Sequence, residues 1–102
     1  MKACCTKGTK NYKNIDLSIP IIKAVNETNR LRILCVLTKE DICVCELGKK
    51  LNLAHNLISF HLKTLFDVGI LDKRREGNQF FYFINPSWKK RVNYFFKFMG
   101  VA

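Results

Sequence analysis

The sequence predicts a mainly α fold with a small β-hairpin wing, a winged helix-turn-helix in the order α-α-α-α-β-β-α. Three observations predict it. Residues 41–65, DICVCELGKKLNLAHNLISFHLKTL, read as two short amphipathic helices joined at a sharp corner. Directly after them come two β-rich runs joined by a turn that contains glycine. The chain also carries 18 Lys+Arg against 8 Asp+Glu, a net charge of +10. A polyanionic partner is the usual reason for that balance, nucleic acid first and a membrane surface second.

Length and composition set the frame. At 102 residues the chain is long enough for one domain with one modest core. A flexible basic N-terminal arm, residues 1–15, and a winged-helix DNA-binding and dimerisation domain, residues 16–102, are expected. No apolar run approaches the roughly 18 residues needed to span a bilayer. The N-terminal stretch MKACCTKGTKNYKN has no apolar signal core, so a cytoplasmic protein without a membrane partner is expected. Five cysteines in such a chain point to reduced thiols, available for metal binding or redox sensing, rather than to a disulfide framework.

Taken in order, the arm is Lys-rich, contains Gly8 and shows no periodicity. Cys4 and Cys5 sit near its tip, either as incidental thiols or as ligands that reach a metal held elsewhere. Residues 17–26 predict a first helix capped by Ser18, with Pro20 in its first turn. Thr28 or Asn29 caps a second helix from Arg30 to Leu37, with Leu31, Leu34, Cys35 and Leu37 toward the inside. Cys35 is read as an inert core thiol, because free cysteine packs as a small hydrophobe. A polar corner follows. The next helix starts at the Cys43-Val44-Cys45 step and runs to about Leu51.

After Asn52-Leu53-Ala54, the second helix of the motif runs from about His55 to Phe66, with Ile58, Leu62 and Leu65 facing inward. Its exposed face carries His55, Asn56, Ser59, Phe60 and Lys63. Asn56 suits adenine, Ser59 a base or phosphate, His55 guanine or phosphate, and Lys63 phosphate. Phe60 is unusual there and is read either as a thymine-methyl contact or as packing on the wing. His61 is placed half-buried at the edge of the same helix and is counted with its DNA-binding residues. Gly69 ends that helix. The strands Ile70–Arg75 and Gln79–Ile84 then flank the Glu76-Gly77-Asn78 turn. Arg74, Arg75, Asn78 and Gln79 lie around the wing tip, within reach of phosphate or the minor groove. Pro86 opens a last helix, Ser87 to about Met99, which Gly100 stops. Its stripe Trp88, Val92, Phe95, Phe96 and Met99 is large for so small a core. Part of it, with Ile21, Ile22 and Val25, is read as a two-fold dimer interface.

These residues together resemble the ArsR/SmtB family of winged-helix metalloregulators over about residues 15–99. The resemblance rests on Arg30, Ile33 and Leu34, on the Cys43-Val44-Cys45-Glu46-Leu47 box, and on Ser59-Phe60-His61-Leu62-Lys63 followed by Gly69 and Arg74-Arg75-Glu76-Gly77. It implies a homodimer that binds an inverted-repeat operator in double-stranded DNA and represses its own resistance operon. An inducer ion, As(III)/Sb(III) or Cd(II)/Pb(II)/Zn(II), would release it. The third cysteine of arsenite-sensing members is replaced here by Gly48. Cadmium- and lead-sensing members bring arm cysteines to the same pair, a part that Cys4 and Cys5 can play. The last helix lacks the His and carboxylate ligands of the nickel, cobalt and zinc sensors.

Cys43 and Cys45 point to different sides of a regular helix, so they share an ion only if Cys43 is still non-helical. Thiolates select soft or borderline ions. Three alternatives stand beside this reading. Cys-x-Cys is an accident of composition, or the same four cysteines form a redox or persulfide switch, or the chain is a thiol oxidoreductase. The last is disfavoured, since Cys-x-Cys is not Cys-x-x-Cys and no βαβ pattern surrounds it. No catalytic set of residues is present, so a non-enzyme is expected.

Overall fold

The computed structural model describes residues 5–101, so the proposed ligand Cys4 lies outside the described residues. The element order is α1 (Lys10–Val25), α2 (Thr28–Leu37), β1 (Ile42–Cys43), α3 (Val44–Leu51), α4 (His55–Asp67), β2 (Leu71–Glu76), β3 (Gln79–Ile84), a 3₁₀ turn (Pro86–Trp88) and α5 (Lys89–Phe98). This is the winged helix-turn-helix that the pattern predicted. On α3 and α4 the core is built where the helical periodicity placed it, whereas on α2 Ile33 is buried and Leu31 and Cys35 are half-buried. Leu34 and Leu37 of α2, Leu47 and Leu51 of α3, and Ile58, Leu62 and Leu65 of α4 are buried together, joined by Ile70, Leu71 and Ile84.

The corner between α3 and α4 has a specific cause. Asn52 adopts the left-handed conformation at φ 55°, and the Leu53 N–H donates to the Gly48 carbonyl at 2.9 Å. A Cβ on Gly48 would meet the Leu53 carbonyl oxygen at 3.1 Å and Ile58 Cγ1 at 3.8 Å. Gly48 is therefore where the corner closes most tightly. The place that would hold a third thiol lies at that contact.

Three differences from expectation have local explanations. First, α1 begins at Lys10, not near Ser18, so residues 10–15 are helical rather than part of a flexible arm. Thr9 is the cap, and its hydroxyl accepts from the Tyr12 N–H at 3.2 Å. Pro20 lies inside the helix, and Ser18 Oγ donates to the Asn14 carbonyl. Pro20 costs one helical bond and removes its own donor, which a solvated stretch tolerates. Second, the α2 cap is Glu27. Its two carboxylate oxygens accept from the Asn29 and Arg30 N–H groups at 3.1 and 2.9 Å.

Third, the sheet has three strands in the order β1-β3-β2. The two residues of β1 pair antiparallel with β3, Ile42 opposite Tyr82 and Cys43 opposite Phe81. Two residues carry no period, so the ladder was invisible in the chain. The dimer stripe also divides. Val92 and Phe96 are buried in the monomer core, and Ile21, Val25 and Trp88 pack against it half-buried. Ile22, Phe95 and Met99 are exposed. Of the proposed interface, Val92 and Phe96 are thus corrected to core residues, because at i and i+4 they share the one face of α5 that turns to the core.

Candidate nucleic-acid interface and thiol site

Helix α4 presents Asn56, Phe60 and Lys63 away from the core, at i, i+4 and i+7. His55 is exposed at its first turn and Ser59 is half-buried beside it. The Asn56 Oδ1 accepts from the Leu57 N–H at 2.9 Å, and Lys63 lies 3.4 Å from Asp67 on the same exposed row. His61 belongs elsewhere. It is 6 % exposed, its Nδ1 accepts from Arg30 Nε at 3.0 Å, and Glu27 Oε2 lies 3.6 Å away. The expectation that His61 helps read DNA is overturned by that burial. It ties α4 to the start of α2.

The wing sorts its cations by strand alternation. Lys73 and Arg75 lie on the side of α4. The Lys73 ammonium sits 4.8 Å from the Phe66 ring centroid and 5.4 Å from that of Phe80, and the Arg75 guanidinium lies 5.8 Å from Phe80. Arg75 Nε also donates to the Gly77 carbonyl at the tip, and Asn78 and Gln79 are exposed there. Arg74 points the other way, over Phe81 and Phe83. It donates to Asp41 at 2.8 Å and to Glu76 at 3.0 Å. These two bonds, Asp41 first, hold its pKa above the ordinary value. Arg74 is therefore paired in place with two carboxylates, whereas Lys73, not singled out in the sequence, faces the side of α4.

Cys43 is extended at φ −76°, ψ 157°, and α3 starts at Val44, so the helix begins between the two thiols as the shared-ion geometry requires. Cys43 is buried and Cys45 exposed. Both line a cleft of about 320 Å³ together with His55 and Ser59 of α4 and Asn78, Gln79, Phe80 and Tyr82 of the wing. The thiols thus open onto the gap between α4 and the wing. Burial, then the charge of Asp67, keeps the Tyr82 phenol above its usual pKa. Among the described residues no three His, Cys, Asp or Glu side chains are grouped to hold a metal ion. Cys5 is exposed, and Cys35 is half-buried against the core rather than fully inside it.

Residues 27–73 match the family described as bacterial regulatory protein, arsR family. The arsenical resistance operon repressor of Staphylococcus aureus is 31 % identical over 75 residues, which is 74 % of this chain and 69 % of that protein. The chain belongs to the arsR family of bacterial regulatory proteins. The transcriptional activator HlyU of Vibrio cholerae is 33 % identical over 80 residues, 78 % of this chain and 74 % of HlyU. The solved structure of HlyU superposes with a TM-score of 0.77 at 29 % identity, covering 84 % of this chain and 95 % of HlyU. The cadmium resistance transcriptional regulatory protein CadC of Listeria innocua is 33 % identical over 63 residues, 61 % of this chain and 53 % of CadC. As an arsR-family transcriptional regulator the chain falls among regulators rather than enzymes. No helix among the described residues is long and apolar enough to cross a membrane.

Proposed function

We propose that this arsR-family regulator is a cytoplasmic homodimeric repressor. Helix α4 reads an inverted-repeat operator, and a thiophilic ion bound by Cys43 and Cys45 releases it. The observation that carries the proposal is the position of the two thiols, one on each side of the α3 start, in the cleft between the reader helix and the wing. Resemblance to an arsenical repressor and to CadC supports a soft-ion inducer. As(III), Sb(III), Cd(II), Pb(II) and Zn(II) all suit thiolate donors.

Two thiols are too few for a closed site, so further donors are required. Cys4 and Cys5 of the partner subunit, which precede α1 in the sequence, are the proposed ones. The support is a row of exposed apolar residues, Tyr12, Ile15, Ile19 and Ile22, at 3-4-3 spacing on α1. With Phe95 and Phe98 of α5 and Met99 at its C-cap it forms the face on which a second copy docks. Arg75, Asn78, Gln79 and Lys73 flank the DNA from the wing, and His55, Asn56, Ser59, Phe60 and Lys63 enter the major groove.

The ion acts only if it binds the DNA-incompetent arrangement more tightly. The route is short. Cys43 is laddered to Phe81, Phe81 to Arg74, and Arg74 is bonded to Asp41 two residues before Cys43. Moving Cys43 toward an ion therefore moves the wing.

The test is fluorescence anisotropy of the duplex upstream of the chain's own gene, under strict reduction, with and without saturating Cd(II) or arsenite. The wild type is expected to lose ten-fold or more in affinity, about 1.4 kcal/mol. The Cys43→Ser/Cys45→Ser variant is expected to bind DNA and ignore the ion. Equal binding of the wild type with and without ion overturns the proposal. Release by oxidant or persulfide alone transfers the same thiols to a redox switch.

A further inference from the structure

Phe60 is the feature of α4 that a generic phosphate-binding face does not explain. Its side chain is 58 % exposed, at the centre of the outward row between Asn56 and Lys63. Its ring partners among the described residues lie on α2 and α4. The Arg30 guanidinium carbon lies 5.7 Å from the ring centroid, and the His61 ring meets it edge-on at 5.6 Å. Those supports are themselves fixed, because Arg30 donates to His61 Nδ1 at 3.0 Å and to the Ala24 carbonyl at 3.2 Å. The ring is therefore braced from behind and projects outward. Leu57, also exposed, widens the apolar strip on its flank.

A braced apolar surface at the centre of a reading face calls for an apolar partner in the groove. In the major groove only thymine offers one, the C5 methyl group, while every other recognition group there is a hydrogen-bond donor or acceptor. We infer that Phe60 is a specificity-determining residue that packs on a thymine methyl in each half-site. Asn56, one turn earlier, supplies the polar partner for a neighbouring adenine. The inference rests on the reading of α4 as the reader helix and deepens it. It does not depend on the ion.

Duplexes enriched by the protein from a randomised pool define the site. Each thymine of that site is then replaced by uracil, which deletes only the methyl. One symmetry-related position is expected to weaken wild-type binding about three- to five-fold per half-site, the value of one buried methyl. The Phe60→Ala variant is expected to bind the thymine and uracil duplexes within about two-fold of each other. Phe60→Leu, which keeps an apolar contact, should retain the preference in the same direction. The inference is overturned if no uracil position weakens the wild type, or if Phe60→Ala discriminates as the wild type does. Failure to enrich any duplex removes the reader-helix assignment, and this inference with it.

Discussion

At the Glu27 carboxylate, burial alone would raise the pKa. The Asn29 and Arg30 N–H donors, with His61 and Arg30 as neighbouring charges, outweigh it and hold the group below the ordinary glutamate range. A folded-state pKa that is lowered means the unfolded chain binds more protons between the two values. The stability Glu27 supplies is then fully present above the ordinary glutamate value, and it is lost as the pH falls through the lower folded one. Glu27→Ala is expected to lower stability at neutral pH by about 1 kcal/mol, the usual cost of a lost N-cap. In urea titrations the gap between wild type and variant should close on acidification. A gap that stays constant to low pH would mean that the carboxylate's charge is irrelevant. The same residue marks a limit of sequence reasoning. Thr28 and Asn29 are better caps by type, and what sets Glu27 apart is a long-range neighbour, His61, 3.6 Å from its carboxylate. His61 was read as only half-buried and as a DNA-binding residue for the same reason, since Arg30, the partner that holds it, is distant in the chain.

The helix-turn-helix and the wing strands were legible because each carries its own period or turn signal, from Leu47 and Leu51 through Ile58, Leu62 and Leu65 to Gly77. The strand β1 was not, since a pair of residues in a ladder has no pattern to display. Yet β1 is the element that joins the thiol pair to the wing, through Cys43 opposite Phe81 and through Asp41 bonded to Arg74. The cleft that collects Cys43, Cys45, His55 and Gln79 was equally hidden, because four segments build it. This wiring gives Arg74 a role that can be separated from DNA contact. An exposed, solvent-screened ion pair adds little stability, so Asp41→Asn should leave the unfolding midpoint nearly unchanged. The variant removes one carboxylate from Arg74 and adds net positive charge beside the wing. DNA affinity at low salt is therefore expected to rise about two- to five-fold, with a steeper salt dependence. A fall in affinity would show instead that Asp41 positions Arg74 on the DNA.

The whole molecule is elongated, with extents of 55 × 28 × 22 Å, and most of α1 makes little use of its own core. Ala24 is its one buried residue among those described, while Ile15 is 52 % exposed and Phe98 on α5 is 87 % exposed. A helix of 16 residues is marginal alone in water, and an apolar row along it that meets nothing is a cost to solubility. Both problems are solved if a second copy covers the row, and a dimer would also set two reader helices one duplex turn apart. Ile15→Glu/Ile19→Glu places charge in that row at positions the monomer does not bury. The expected outcome is a monomer in sedimentation velocity with the buried core intact by near-ultraviolet circular dichroism. Its melting temperature should no longer depend on protein concentration, whereas that of the wild type should. Because one half-site contributes far less than two held together, operator affinity should drop by about two orders of magnitude or more. The thiol pair should still take up a soft ion, but with fewer donors if the arm that completes the site belongs to the partner. An unchanged charge-transfer band in this variant would place every sulfur ligand within one chain. A wild type that sediments as a monomer at micromolar concentration would leave α1 without its covering and remove the crossed-arm site altogether.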